Sequence, residues 1–126
     1  MLESEILNYA YHILVDGNGA LNRLARYLCS GSVPILSRVI EQWYHAGLRP
    51  WMEYLPLNLN FTNLEELVDW AQTHHDEAEE IGKRGMEFAE NHLQLKDMQC
   101  YTFRQIVEYE RLRVEKEKWP EGELGE

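Results

Sequence analysis

Between Tyr11 and Ile35 the chain reads YHILVDGNGALNRLARYLCSGSVPI, and this segment constrains the fold more than any other. A short apolar run, His12-Ile13-Leu14-Val15, stops at Asp16-Gly17-Asn18-Gly19; Leu21, Leu24, Ala25 and Leu28 then recur at helical spacing until Gly31 closes the segment. The order is strand, glycine loop, helix, with the helix expected to begin within a residue or two of Gly19. Such a junction turns the free N–H groups of a first helical turn toward the loop, backed by the helix dipole, and glycines let an anion approach the main chain. Arg23 falls on that expected first turn, within reach of the same anion. The pattern points to a phosphate site. Only Gly17 and Gly19 of a G-x-G-x-x-G pattern are present, however, with Asn22 in the third place, and the same residues equally suit an ordinary strand-to-helix turn with Arg23 on a solvated face.

A length of 126 residues has room for one domain and not for a two-lobed enzyme. Met1 is followed by Leu2-Glu3-Ser4-Glu5, with neither a basic segment nor a long apolar one, so no secretory signal is visible in the chain as given. No apolar run is long enough to cross a membrane. Cys29 and Cys100 are the two cysteines, and the placement of Cys29 on the apolar side of the expected helix predicts two buried, reduced thiols. The net charge of −10 is unevenly spread. Residues 1–60 hold five acids against four arginines, Arg23, Arg26, Arg38 and Arg49, whereas residues 61–99 hold ten acids against three bases. An anion therefore belongs to the first half, and nucleic acid is excluded as a partner because its binding needs many basic groups.

Further along, Ser32-Val33-Pro34-Ile35-Leu36 reads as a second strand, in which Pro34 is expected at a start or an edge. Met52 to Leu57 alternates as a third strand. Thr62-Asn63-Leu64-Glu65 forms a capping box ahead of the apolar positions Leu64, Leu67, Val68 and Ala71, and Asp76 with Glu79 repeats it ahead of Ala78, Ile81, Gly85, Phe88 and Ala89. A last helix from about Lys96 into the 110s is expected to bury Cys100, Phe103, Ile106 and Val107. Strands alternating with helices, then helices alone, describe an α/β fold with a short parallel sheet and a helical C-terminal half. Three strands are few for a free-standing sheet.

Four blocks carry a resemblance: VDGNGALNR, YLCSGSVPI, QWYHAGLRPWMEYLPL, and the stretch from NLEELVDWAQ to FRQIVEYERL. In this order, from about Ile6 to Arg113, the chain resembles the C-terminal region of the fungal capsule-associated glycosyltransferases and animal protein O-glucosyltransferases, glycosyltransferase family 90. The resemblance implies the C-terminal, donor-binding Rossmann-like lobe of an inverting enzyme of GT-B architecture. That lobe would occupy residues 1–114, followed by a charged, disordered tail over 115–126. It further implies transfer of glucose or xylose from a UDP-sugar to a protein or polysaccharide hydroxyl, with no metal and no cofactor besides the donor. Full-length members work in the endoplasmic reticulum or Golgi lumen; this chain expressed alone would be cytoplasmic. The family's D-G-x-x-x-x-x-R block places Asp16, Gly17, Asn18, Gly19, Ala20, Leu21, Asn22 and Arg23 along the donor, with Arg23 on the diphosphate. Cys100 matches a family cysteine whose disulfide partner, like the acceptor-binding lobe and the catalytic aspartate, belongs to a part upstream of this chain.

The chain departs from the family at Leu36, where a lysine usually follows the second strand, and at Ile40 and Gln42, where a tyrosine and an acid usually precede the tryptophan. These changes favour an alternative, a truncated non-catalytic remnant acting as a nucleotide-binding or protein-interaction module; the intact Asp16–Arg23 block favours retained donor binding. The His74-His75-Asp76 run reads as a polar helix end rather than a metal site, since adjacent histidines on a helix point apart. Trp43, Tyr44, Trp51 and Tyr54 read as core or as a stacking surface for a sugar or base.

Overall fold

A computed structural model of the protein describes residues 3–17 and 23–117. Three parallel strands, β1 (Tyr11–Val15), β2 (Val33–Ser37) and β3 (Leu55–Pro56), form a sheet in the order β1-β2-β3. Around it lie helices α1 (Glu3–Ile6), α2 (Leu24–Cys29), α3 (Leu64–Thr73) and α4 (His75–His92), with a 3₁₀ turn at His45–Gly47. Residues up to Gln94 make one compact unit; the last helix, α5 (Leu95–Glu117), belongs to a second. The fold is α/β, a short Rossmann-like parallel sheet flanked by helices.

All five residues of β2 are buried, so both faces of the sheet need cover at this strand. Side chains alternate across a strand. Val33 and Ile35 join Leu55, Leu57, Leu67, Ala71, Ala78 and Ile81 in one core, while Leu36 meets Leu14, Leu24, Tyr27, Leu28, Tyr44 and Tyr54 in the other. At the edge, β1 is covered on one face: His12 and Leu14 are buried, but Ile13 and Val15 are exposed although Ile13 pairs in register with buried Ile35.

Pro34 lies inside the central strand, not at an edge as expected. The Val33 N–H donates to Ala10 O on the β1 side, so the N of residue 34 faces the β3 side, where pairing starts only at Ile35 opposite Leu55. The proline occupies a place where no donor is needed.

Other expectations are corrected. The third strand is two residues long, because residues 49–54 form a turn closed by the Glu53 carboxylate, which accepts from the Arg49 N–H (2.8 Å) and guanidinium (2.9 Å). Both capping boxes fail although helices start near each. The N-caps are Asn63 and His74, neither with a side-chain cap bond. Thr62 Oγ1 instead donates to Asn60 Oδ1 (2.8 Å), and Asn63 accepts from Asn58 N–H and donates to Pro56 O, so the loop consumes the polar groups that would cap the helix. Cys29 is exposed, since the six-residue α2 turns Leu24, Tyr27 and Leu28 inward. Cys100, Phe103, Ile106 and Val107 on α5 are exposed as well; α5 is the one helix among the described residues of its unit, and none of those residues forms a second layer to bury them. Glu115 to Glu117 continue α5, and the rest of the expected tail lies outside the described residues.

One helix joins the two cores. Ala78 and Ile81 of α4 pack in the core shared with α3, Ala89 in the core shared with α2, and between them Gly82 lies against the main chain just ahead of β2. A Cβ on Gly82 would stand 2.2 Å from Gly31 O. Alanine normally gains about 1 kcal/mol over glycine inside a helix. Here the gain is overridden, because relief requires moving backbone. Gly82→Ala is expected to lower stability by about 2 kcal/mol in urea denaturation, against the helix-propensity trend.

Candidate functional site

In an open parallel sheet, ligands gather beyond the carboxyl ends of the strands, where successive loops diverge. At that edge Asp16 follows β1. One oxygen of its carboxylate accepts the N–H groups of both Val39 (2.5 Å) and Ile40 (2.9 Å), the residues that leave β2. The acid thus ties the loop after β1 to the loop after β2, holding main-chain N–H groups that would otherwise be left to solvent.

The second loop is fastened from its other side by Arg38, which donates to His45 O (3.2 Å), pairs with Glu41 (3.2 Å) and lies 5.6 Å from the Tyr54 ring centre. His45 is fully buried. Its Nδ1 accepts the Gln42 N–H (3.0 Å), which assigns the proton to Nε2, and Nε2 has no hydrogen-bond partner among the described residues. Burial chiefly, and then the Arg38 charge, hold the imidazole below its ordinary value; Glu41 and Asp16 pull weakly the other way. Buried His12, whose ring packs 4.3 Å from Tyr27, is lowered by burial too.

Of the predicted site residues, Asp16, Gly17 and Arg23 are described; Asn18, Gly19, Ala20, Leu21 and Asn22 lie outside the described residues. No described atom stands within 4 Å of where a Gly17 Cβ would be. Arg23 is exposed, and its side chain has no partner among the described residues. It precedes α2 as the N-cap, because the helix begins at Leu24 and not close to Gly19. Six residues make too short a helix for a sizeable dipole.

Leu36 lies within β2 and is buried in the core, not placed after the strand, whereas Ile40 is exposed beside the Asp16 carboxylate. Arg38 is committed to its own loop. Tyr44 and Tyr54 are core residues and Trp43 packs against them. His74 stacks on Trp70 (5.0 Å, 11°) and places Nδ1 3.0 Å from Trp70 O, a structural role. Among the described residues no group of three or more His, Cys, Asp or Glu side chains could hold a metal.

The Arg38–Glu41–His45 set is formed only in the folded loop, and its one trace in the sequence is the i,i+3 and i,i+4 spacing. Phe61 is exposed after β3 on the same sheet edge at φ +60°.

A short parallel sheet flanked by helices, with Asp16 joining the end of β1 to the loop after β2 at its carboxyl edge, defines a Rossmann-like α/β fold. Comparison narrows the class. The family described as Glycosyl transferase family 90 matches residues 2–124, and the chain belongs to that family. It is 32% identical over 120 residues to zebrafish (Danio rerio) protein O-glucosyltransferase 2, covering 94% of this chain and 24% of that protein. Human (Homo sapiens) protein O-glucosyltransferase 1 is 31% identical over 106 residues, 82% of this chain and 26% of the relative. Rat (Rattus norvegicus) protein O-glucosyltransferase 3 is 33% identical over 114 residues, 89% and 22%. The chain thus spans about a quarter of the length of these relatives. Among the described residues no helix is long and apolar enough to cross a membrane.

The histidines predict a pH dependence with a definite sign. With its folded-state value lowered, His45 stays neutral in the fold while the unfolded chain takes up a proton below its ordinary value of 6.5. Stability is full above about pH 6.5 and falls as pH drops from there toward the folded-state value. His45→Asn, which keeps an acceptor for the Gln42 N–H, is expected to flatten the melting temperature against pH between about 5 and 7; His12, lowered by burial, contributes a slope of the same sign.

Proposed function

We propose that the chain is the donor-binding region of a family 90 glycosyltransferase and holds the diphosphate of a UDP-sugar, UDP-glucose or UDP-xylose, at the carboxyl edge of its sheet. The observation that carries the reading is the Asp16 carboxylate bridging to Val39 and Ile40. It gives Asp16 the work of joining the end of β1 to the loop after β2, and Arg23 is an exposed guanidinium with no side-chain partner among the described residues. A carboxylate on the donor itself would repel the diphosphate, so its consumption by two N–H groups removes an obstacle to anion binding.

Chemically, sugar transfer leaves charge on the departing UDP, and fixed donors at the phosphates lower the barrier by stabilising that charge. Arg23 supplies a bidentate donor, and with no described atom within 4 Å of a Gly17 Cβ, glycine there lets the ligand come close to the main chain. Protein O-glucosyltransferase relatives favour glucose transfer to a protein hydroxyl as the reaction of the full-length enzyme, in the lumen of the secretory pathway. The part corresponding to the remaining three quarters of those relatives would supply the acceptor surface. Retention of the Asp16–Arg23 block favours donor binding over the reading of the chain as an interaction module without a ligand.

Calorimetric titration with UDP tests the proposal. Wild type is expected to bind, with Arg23→Ala weakening affinity about tenfold, roughly 1.4 kcal/mol. Asp16→Ala is expected to weaken binding as well while exposing the Val39 and Ile40 amides to faster hydrogen exchange. Equal affinity in wild type and Arg23→Ala would overturn the assignment of the phosphate.

A further inference from the structure

A second groove, at the opposite side of β3 from the loops that follow the strands, is built around a strained tryptophan. Trp51 has φ +64°, a backbone region that bulky side chains rarely enter. The strain is enforced by its surroundings: Trp51 N–H donates to Tyr54 O (2.7 Å), Met52 and Glu53 N–H both donate to Arg49 O, and the buried Glu53 carboxylate closes the turn on Arg49. From α4, Arg84 Nε pins Met52 O at 2.8 Å. A turn held by this many bonds could as well carry an unstrained residue, and stored strain of this kind marks positions where the side chain is put to use.

That side chain is presented rather than packed away. Trp51 is 45% exposed and meets Trp70 at 79° with ring centres 5.0 Å apart, so the two indoles form a corner. His74 covers one face of Trp70. The groove of about 340 Å³ along this corner is completed by Glu77, Glu80, Ile81 and Arg84 of α4. It lies at the small end of the range of ligand clefts, roughly 300–1,000 Å³.

Charge selects among occupants. Glu77 and Glu80 disfavour an anion, Arg84 disfavours a cation, and Lys83 already pairs with Glu80 at 3.1 Å, leaving the groove close to neutral. Carboxylates accept hydrogen bonds from hydroxyl groups, a guanidinium donates to them, and an exposed indole offers an apolar face. A neutral polyol with one apolar face satisfies all three. We propose that this groove binds a saccharide, stacked on Trp51 and held through its hydroxyls by Glu77, Glu80 and Arg84, separately from the donor.

The test follows the indole N–H resonances of the ¹⁵N-labelled full chain by NMR while methyl β-glucoside or methyl β-xyloside is added, with choline and sulfate as charged comparators. Saccharide is expected to shift Trp51 and Trp70 with saturation on the order of 1–10 mM, and choline and sulfate to leave them in place. Trp51→Asn, which keeps a residue at ease at positive φ, should melt within a few degrees of wild type and lose the saccharide response at Trp70. Glu77→Gln, on an exposed helix surface, should fold normally and bind several-fold more weakly. The proposal is overturned by an absence of saturable saccharide shifts, by tighter binding of choline, or by an unchanged response in either variant. UDP titrated into the same sample reports on the other edge independently, so failure of donor binding is distinguishable from failure here.

Discussion

Burial of the whole of Val33–Ser37 is the constraint from which the arrangement follows. A strand with apolar side chains on both faces can exist in water only between two layers. This chain has few elements with which to build them. One face is closed by α2 and the segment around Tyr44 and Tyr54, the other by α3, and α4 serves both because Ala78, Gly82, Gly85 and Ala89 let it come close to main chain and sheet. The small residues on α4 are the condition for two cores sharing one helix.

The same economy shapes the carboxyl edge of the sheet. The loop after β2 is fastened by polar contacts: two of its N–H groups to Asp16, Arg38 to His45 O and Glu41, and Gln42 N–H to His45. Charge-assisted bonds to main-chain groups are short and directional, which suits a loop that must hold a fixed form at the surface. Arg23 contrasts with Arg38: one exposed and unengaged among the described residues, the other consumed by its own loop. Side chains of the same type on the same edge thus do different work, and spacing along the chain does not separate them.

Strain appears at Trp51 and Phe61, both exposed aromatic residues at positive φ, each beside β3 at opposite ends. Neither contributes to a core cluster. An exposed ring held in an unfavourable backbone state gains little for the fold by burial, so the strain at these two positions is not repaid by packing of the side chain.

Periodicity in the sequence determined the order of the three strands and of the helices α2 to α5, and with it the α/β class and the parallel sheet, because apolar spacing of two or about four residues survives whatever the tertiary contacts turn out to be; the division into two cores was decided by the tertiary structure. The family blocks determined kinship. Helix starts near Thr62 and Asp76 were legible, but the capping bonds were not, since Asn60, Asn63 and Thr62 found loop partners that a local pattern cannot anticipate. Burial of Cys29, Cys100 and the apolar residues of α5 was misread for a related reason: amphipathic spacing states which face is apolar, and only tertiary structure decides whether anything covers it. The bridge from Asp16 to Val39 and Ile40, the neutral buried His45 and the corner of Trp51 with Trp70 join residues brought together by the sheet and its loops, and long-range hydrogen bonding leaves no periodic trace in a sequence.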